Sequence, residues 1–277
     1  DVLWCREALK SGAGTASALV VNSGNSNAFT GPKGVLKNDA TLKAMGEALG
    51  VAKETCFIAA TGVIGEPLAD PNYVGSIVPE LAARLAAPDW EAAARAFMTT
   101  DTFPKGAGRS FDLDGTQINI AGIAKGSGMI APNMATMLSY VFTDAAIAPA
   151  LLQELLEDIT DETFNSITVD GDTSTSDTLM VFATGACGMS PITSSDDPRF
   201  EVLADALHAV CLELAHLIVK DGEGASKFVT ITVKGAVSSQ SAKIMACEIA
   251  NSPLIKTAMA AGDANWGRVV MAVGKSL

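Results

Sequence analysis

Residues 109–123 (RSFDLDGTQINIAGI) set two alternating apolar runs about an Asp114-Gly115 pair. Phe111 and Leu113 come before the pair, and Ile118 and Ile120 come after it. An Asp-Gly pair readily adopts the positive backbone torsions of a two-residue turn, so the stretch is predicted to be a β-hairpin. A hairpin commits this part of the chain to antiparallel pairing. Its apolar face must then be covered by the segments on either side.

Those segments supply both kinds of element. Ala18 to Asn22 reads as a buried strand that runs into a Gly/Asn/Ser loop. Residues 36–50 carry Leu36, Leu42, Met45 and Leu49 at helical spacing. Cys56 to Ala60 is a short apolar strand leading straight into Thr61-Gly62. Residues 73–98 predict two Ala-rich helices broken near Pro88. After the hairpin come a glycine-rich loop (124–133), an apolar strand (134–142) and a helix (144–161). A polar segment (168–178), a long helix (198–220) and an alternating strand (228–235, FVTITVKG) follow, and helical segments complete the chain. No internal repeat or low-complexity tract is present. The reading is layered α/β with antiparallel pairing.

Composition narrows the function. Of 277 residues, 48% are hydrophobic and 18% charged, which excludes an intrinsically disordered chain. The formal net charge is −12 and Lys and Arg form no dense cluster, which argues against a nucleic-acid partner. No apolar run free of interrupting polar residues approaches the roughly 20 residues that span a bilayer, so no membrane association is expected. No signal peptide is visible, although the chain begins at Asp1 rather than Met. Cys5, Cys56, Cys187, Cys211 and Cys247 are odd in number, far apart and form no C-x-x-C pair. They read as incidental thiols of a reducing cytoplasm, and neither a disulfide framework nor a metal site is expected. His208 and His216 share one apolar-periodic stretch, and a Ser-His-Asp triad would have to use one of them. Both are read as structural. Neither G-x-G-x-x-G nor a P-loop is present, so no cofactor is expected.

The segment 125–138 (KGSGMIAPNMATML) places a single hydroxyl, Thr136, behind small Ala135, where an irregular loop enters an apolar strand. Two readings fit. In the first, Thr136 is an ordinary strand residue. In the second, Thr136 Oγ attacks the Ala135 carbonyl, the amide becomes an ester, and water releases a new N-terminus at Thr136. The freed α-amine, with an ordinary pKa of about 7.7–8.0, then serves as the base for its own hydroxyl. That chemistry requires no histidine.

Several segments together carry a resemblance. They are KGSGMIAPNMATML (125–138), ATGVIGEPL (60–68), TTDTFPK (99–105), DGDTSTSDT (170–178), DGEGASK (221–227) and GDANWGRV (262–269). In order and spacing they resemble the ornithine acetyltransferase family, over nearly the whole chain. The resemblance implies an αββα-type sandwich of the ornithine acetyltransferase/β-aminopeptidase kind, with mixed and antiparallel strands. It implies autocatalytic cleavage between Ala135 and Thr136, giving an α-chain part (1–135) and a β-chain part (136–277) that associate and assemble as αβ units. The implied reaction is ping-pong transfer of acetyl from N2-acetyl-L-ornithine to L-glutamate through an acetyl-Thr136 enzyme, a step of arginine biosynthesis in the cytoplasm. Some members also use acetyl-CoA to make N-acetylglutamate.

Site roles carry over by motif. Thr136 matches the nucleophile, and Thr61 and Gly62 match the oxyanion pair. Thr99 (or its neighbour Thr100), Lys125, Thr136 and Glu223 match substrate-binding positions. Lys125 would meet an α-carboxylate, and Glu223 would face a substrate amino group. No catalytic step is assigned to 170–178, whose Asp and Thr side chains suit capping around the site. Family members run longer at both ends, and the residues that their extreme C-terminus adds to the substrate site have no counterpart here. Two alternatives stand beside the transferase. A related N-terminal-nucleophile aminopeptidase or amidase would use water as acceptor, and a non-catalytic binding protein would keep the Ala135–Thr136 bond whole.

Overall fold

The computed structural model describes residues 1–131 and 137–276. The first half builds helix α1 (Val2–Ser11), strand β1 (Ala18–Asn25), helix α2 (Pro32–Leu49), strand β2 (Cys56–Val63) and helices α3 (Tyr73–Ala83) and α4 (Trp90–Ala96). The hairpin strands β3 (Lys105–Leu113) and β4 (Thr116–Lys125) follow, then β5 (Leu138–Thr143), helix α5 (Pro149–Glu162) and strand β6 (Thr178–Ala183). Helices α6 (Pro198–Lys220), α7 (Ser239–Asn251), α8 (Pro253–Ala261) and α9 (Trp266–Gly274) end the chain.

The predicted hairpin is present. Leu113 pairs with Thr116, and the intervening Asp114 and Gly115 have φ of 54° and 79°, the torsions a tight I′-type turn requires. β1 and β2 pair in parallel, as do β5 and β6, whereas β3–β4 and β4–β5 are antiparallel. The strand order of the larger sheet is β3-β4-β5-β6.

Side-chain alternation stacks four layers. On one face of β1 and β2, Val20, Cys56 and Ile58 pack against Cys5 and Ala8 of α1, Leu42 and Met45 of α2 and Val78 of α3. The opposite face presents Leu19, Val21 and Ala59 to Ile123 of β4, Tyr140 of β5 and Phe182 of β6. The Phe57 and Phe182 rings, 6.3 Å apart and nearly perpendicular, join the two sheets directly. Behind the larger sheet, Ile118, Ile120 and Val141 meet Leu155 and Ile159 of α5 and Leu203, Leu207, Val210, Leu214 and Ile218 of α6. The order is therefore helix, sheet, sheet, helix.

α6 crosses β3 and β4 closely because Gly122 offers no side chain. A Cβ there would come within 2.9 Å of Leu214 and 3.1 Å of Val141. α6 is also long and apolar enough, by length and composition, to cross a membrane. Its apolar stripe is instead accounted for by its packing on the sheet.

Two expectations are corrected. Residues 228–235 alternate as a strand, yet they pair with no described strand, and Phe228 and Val229 stay exposed. Alternation gives a strand its faces, but a strand also needs a ladder partner. A strand that the sequence reading did not assign, β6, overlaps the segment read as polar only at Thr178. Its run TLMVFA is apolar on both faces because Leu179 and Val181 fill the α6 side while Met180 and Phe182 fill the inter-sheet side. Such a run lacks the period-two signature. The expected helix at 144–161 begins later, at Pro149, a residue suited to a first helical turn.

Candidate active site

β2 and β4 lie in different sheets, and their C-terminal ends meet. Thr61 follows Phe57 and Ala59 on the inter-sheet face of β2, and Lys125 follows Ile123 on the inter-sheet face of β4. The Lys125 ammonium donates to Thr99 Oγ1 at 2.7 Å and to Thr61 Oγ1 at 3.3 Å. Thr61, Thr99 and Lys125, widely separated in sequence, thus form one cluster. Of the adjacent threonines, it is Thr99 whose hydroxyl meets the lysine. Lys125 is 3% exposed, so it is a buried cation rather than a solvated loop lysine. Burial pulls its pKa below the ordinary lysine value, and Asp101, 4.0 Å away, opposes that shift.

Gly62 has φ of 124°, a torsion that strongly favours glycine. A Cβ there would also lie 2.3 Å from the Gly24 backbone carbon of β1. The parallel pairing of Gly24 with Gly62 therefore requires glycine at position 62, and it leaves that backbone uncovered by any side chain of its own.

A buried ion network supports the cluster. Lys105 Nζ donates to Asp101 Oδ1 and to Asp221 Oδ2, each at 2.6 Å, and all three side chains are essentially inaccessible. Asp101 also accepts from the Gly126 N–H at 2.7 Å and the Thr99 N–H at 3.1 Å. Asp221 accepts from the Thr102 N–H at 2.9 Å and from the Thr102 hydroxyl. The Asp221 carbonyl accepts from Ser127 Oγ at 2.8 Å, and the Glu223 N–H donates to the Ser127 carbonyl at 2.9 Å. This network ties together the segments that carry Thr99, Lys125 and Glu223. The Glu223 carboxylate lies against Gly128, where an added Cβ would be 2.6 Å from Oε1. Lys125 also feels the charges of Asp177 and Glu223.

The segment 170–178 holds both sides of the central loop. Asp170 accepts from the N–H groups of Met129 at 2.6 Å and Ile130 at 3.0 Å. Asp177 accepts from the Met137 N–H at 3.1 Å. The capping role expected of this motif is therefore present, at two places. Ala135 and Thr136, the expected cleavage site and nucleophile, lie outside the described residues. The chain re-enters description at Met137, directly before Leu138, the ladder partner of Lys125.

Neither histidine joins these groups. His208 Nε2 is 3.3 Å from Glu162, and the His216 ring meets Phe228 edge-on at 5.3 Å. Sequence reasoning missed Asp101, Lys105 and Asp221 as site-building residues. The signal was available, because all three sit inside the motifs TTDTFPK and DGEGASK.

Comparison with known proteins agrees along the full length. The model of the family described as ArgJ family matches residues 1–277. The arginine biosynthesis bifunctional protein ArgJ of Bradyrhizobium diazoefficiens is 54% identical over 99% of this chain and 67% of its own length. The protein of that name from Bartonella henselae is 56% identical over 95% of this chain and 64% of its own. That of Rhizobium meliloti is 54% identical over 98% and 66%. The chain thus spans about two thirds of the length of the curated relatives it matches. A crystal structure of arginine biosynthesis bifunctional protein ArgJ from Bacillus halodurans aligns with 48% of this chain and 62% of its own, at 44% identity and a TM-score of 0.47. With every position inside the family match, and the family's motifs meeting in one cluster, the chain belongs to the ArgJ family.

Proposed function

We propose that this chain carries the acyl-transfer centre of a glutamate N-acetyltransferase, which moves acetyl from N2-acetyl-L-ornithine to L-glutamate. The observation that carries the reading is the meeting of Thr61, Thr99 and Lys125 where β5 begins. In this reading the chain cleaves itself between Ala135 and Thr136, and residues 1–135 and 136–277 stay associated as α and β parts of an αβ unit that assembles further in the cytoplasm. The Thr136 hydroxyl attacks the acetyl carbonyl, its proton passes to the freed α-amine, and ornithine leaves with a proton. Glutamate then attacks the acetyl ester, and the hydroxyl is restored.

The developing oxyanion would be met by the Thr61 hydroxyl and the Gly62 N–H. Lys125 already donates to Thr61 Oγ1, so the Thr61 proton is free to point elsewhere. A lysine surrounded by low-dielectric protein attracts an α-carboxylate strongly, which suits Lys125 to both amino-acid substrates. Glu223, on the loop after α6, supplies the opposite charge for a substrate amino group. Relatives named bifunctional make acetyl-CoA the natural second donor to assay.

The test is an intact mass spectrum of the full-length gene product, alone and after brief exposure to N-acetylornithine or acetyl-CoA. Two chains divided between Ala135 and Thr136, with one acetyl on the chain that begins at Thr136, is the expected result. An unbroken, unmodified chain from folded protein would remove the reading. Thr61→Ala is expected to leave the chain cleavable and to slow acetyl transfer by roughly 10²–10³. Steady-state transfer rates check it, and an unchanged kcat returns Thr61 to a purely structural place on β2.

A further inference from the structure

Lys37 is a cation set into the core without an opposite charge. It stands on the inner stripe of α2, where Gly34, Thr41, Leu42 and Met45 are also buried, and it is 5% exposed. Its Nζ is fully buried and has no hydrogen-bond partner among the described residues. The other buried lysines of the described chain are met by acids. Lys105 bonds Asp101 and Asp221, and Lys125 lies 4.0 Å from Asp101. At Lys37 no carboxylate opposes the effect of burial, which pulls the group down to about 8. At neutral pH the group still carries most of its charge, and an ammonium taken out of water with nothing paired to it is costly.

Lys37 lines a narrow cavity between α2 and the β1–β2 sheet. The cavity lies on the face of that sheet formed by Val20 and Ile58, opposite the face that carries Thr61. There is room for about one guest the size of a water molecule or a halide ion, which excludes phosphate and the carboxylates of metabolites. The polar wall consists of Asp1, Asn22, Asn38 and Thr41. None of these supplies the missing charge. Asp1 Oδ1 is turned to Asn27 Nδ2, at 3.4 Å. Thr41 Oγ1 donates to the Lys37 carbonyl at 2.8 Å, and Asn22 Nδ2 donates to the Asn25 carbonyl at 2.6 Å. Asn38 Oδ1 accepts from Asn27 Nδ2 at 3.1 Å, so Asn38 keeps its own N–H donors for another partner. A water molecule in the cavity would solvate the ammonium and leave its charge uncompensated.

We propose that Lys37 holds a single halide-sized monovalent anion, chloride in ordinary media, in the cavity between α2 and the β1–β2 sheet. The ion supplies the counter-charge that the side chains around Lys37 do not. It also ties α2 to β1 and β2, and β2 is the strand that carries Thr61 and Gly62. The site is separate from the Thr61–Thr99–Lys125 cluster, and it stands or falls independently of the acyl-transfer reading.

The experiment follows thermal unfolding of the full-length gene product at constant pH and ionic strength while chloride is replaced by gluconate, an anion too large for the cavity. The wild-type Tm is expected to fall on the order of 3 °C as chloride is withdrawn, because an ion that binds only the folded state stabilises it by mass action. Lys37→Met keeps the apolar stem and removes the charge. Its Tm should not respond to chloride, and in gluconate it should equal or exceed that of the wild type. Crystals of the wild type grown in bromide should show one anomalous peak beside Lys37 Nζ. A chloride response of equal size in Lys37→Met overturns the proposal, as does a wild-type Tm indifferent to chloride. A bromide peak with no response in solution marks an adventitious ion only and overturns it too. So does a cavity that holds water alone, or one in which a carboxylate of the full-length chain meets Nζ. Should Lys37→Met fail to fold, the chloride response and the bromide peak of the wild type decide together, and the absence of either overturns the proposal.

Discussion

Thr136→Ala is expected to yield a single unbroken chain, no acetyl-enzyme and no transfer above background. One hydroxyl serves both reactions in the proposed mechanism. It attacks the Ala135 carbonyl once, in the precursor, and the acetyl carbonyl in every later turnover. The variant also lacks the α-amine, because that base exists only after cleavage. Losing nucleophile and base together should cost on the order of 10⁴-fold or more in kcat. Two further observations sharpen the expectation. The histidines are engaged with Glu162 and Phe228, so no imidazole stands by to activate a substitute. Among the described side chains of the site, Thr61 and Thr99 have hydroxyls engaged by Lys125. Thr136→Ser keeps a hydroxyl and should cleave and transfer, although more slowly. Denaturing gel electrophoresis and mass spectrometry of both variants check the result. A Thr136→Ala protein that is cut at the same bond and still transfers acetyl would sink the central assignment.

The contrast with Thr61→Ala locates the roles. An oxyanion donor acts on the barrier of each acyl step, so its removal slows turnover and leaves the nucleophile in place. A nucleophile cannot be removed partially. Thr61→Ala should therefore give a cleaved enzyme that still forms acetyl-Thr136, slowly, and Thr136→Ala should give neither product.

How much of this was written in the sequence depends on the range of the interactions involved. The hairpin was legible because Asp114-Gly115 fixes a turn locally and the alternation on either side fixes its faces. α2 and α6 were legible because their apolar stripes repeat at helical spacing. β6 was not, since an apolar run packed on both faces has no period, and its parallel partner lies far back along the chain. The strand expected at 228–235 erred in the opposite sense, since local alternation was present and a partner was not. In the site, Thr61, Thr99, Lys125 and Glu223 were recognisable by family motif, and the structure adds that the two threonines meet at the Lys125 ammonium. The motifs TTDTFPK and DGEGASK contain Lys105 and Asp221, but nothing local pairs them, because they meet only when the chain segment after α4 packs against the end of α6. Charge complementarity across such a separation is invisible until the fold brings it about.

That buried triad gives the second large effect, in stability as well as rate. Lys105→Met should remove the only cation that bonds both Asp101 and Asp221 among the described residues. Burying two carboxylates without it costs about 3–5 kcal/mol. At about 2–4 °C per kcal/mol for a chain approaching this size, Tm should fall on the order of 10 °C. The pH dependence is specific. Burial alone would raise the Asp101 carboxyl, but the bonds from the Gly126 N–H, Lys105 and the Thr99 N–H together outweigh it and hold it below the usual carboxylate range. A depressed folded-state pKa contributes stability that is present above the unfolded value of about 3.9 and is lost as pH falls through the folded value. In Lys105→Met the same carboxyl loses its cation and moves upward, so the variant is relieved by protonation where the wild type is weakened. The gap in Tm between the two should therefore narrow as pH falls from 7 toward about 4. Differential scanning calorimetry across that range checks it, and a gap that is absent or independent of pH rules out the network as the source. The rate should fall as well, because Asp101 also holds the N–H groups of Thr99 and Gly126, the residues that flank the Lys125 contact. Loosening Asp101 displaces Lys125, the proposed carboxylate-binding group, without touching it, so the stability and catalytic losses should appear together in this one substitution.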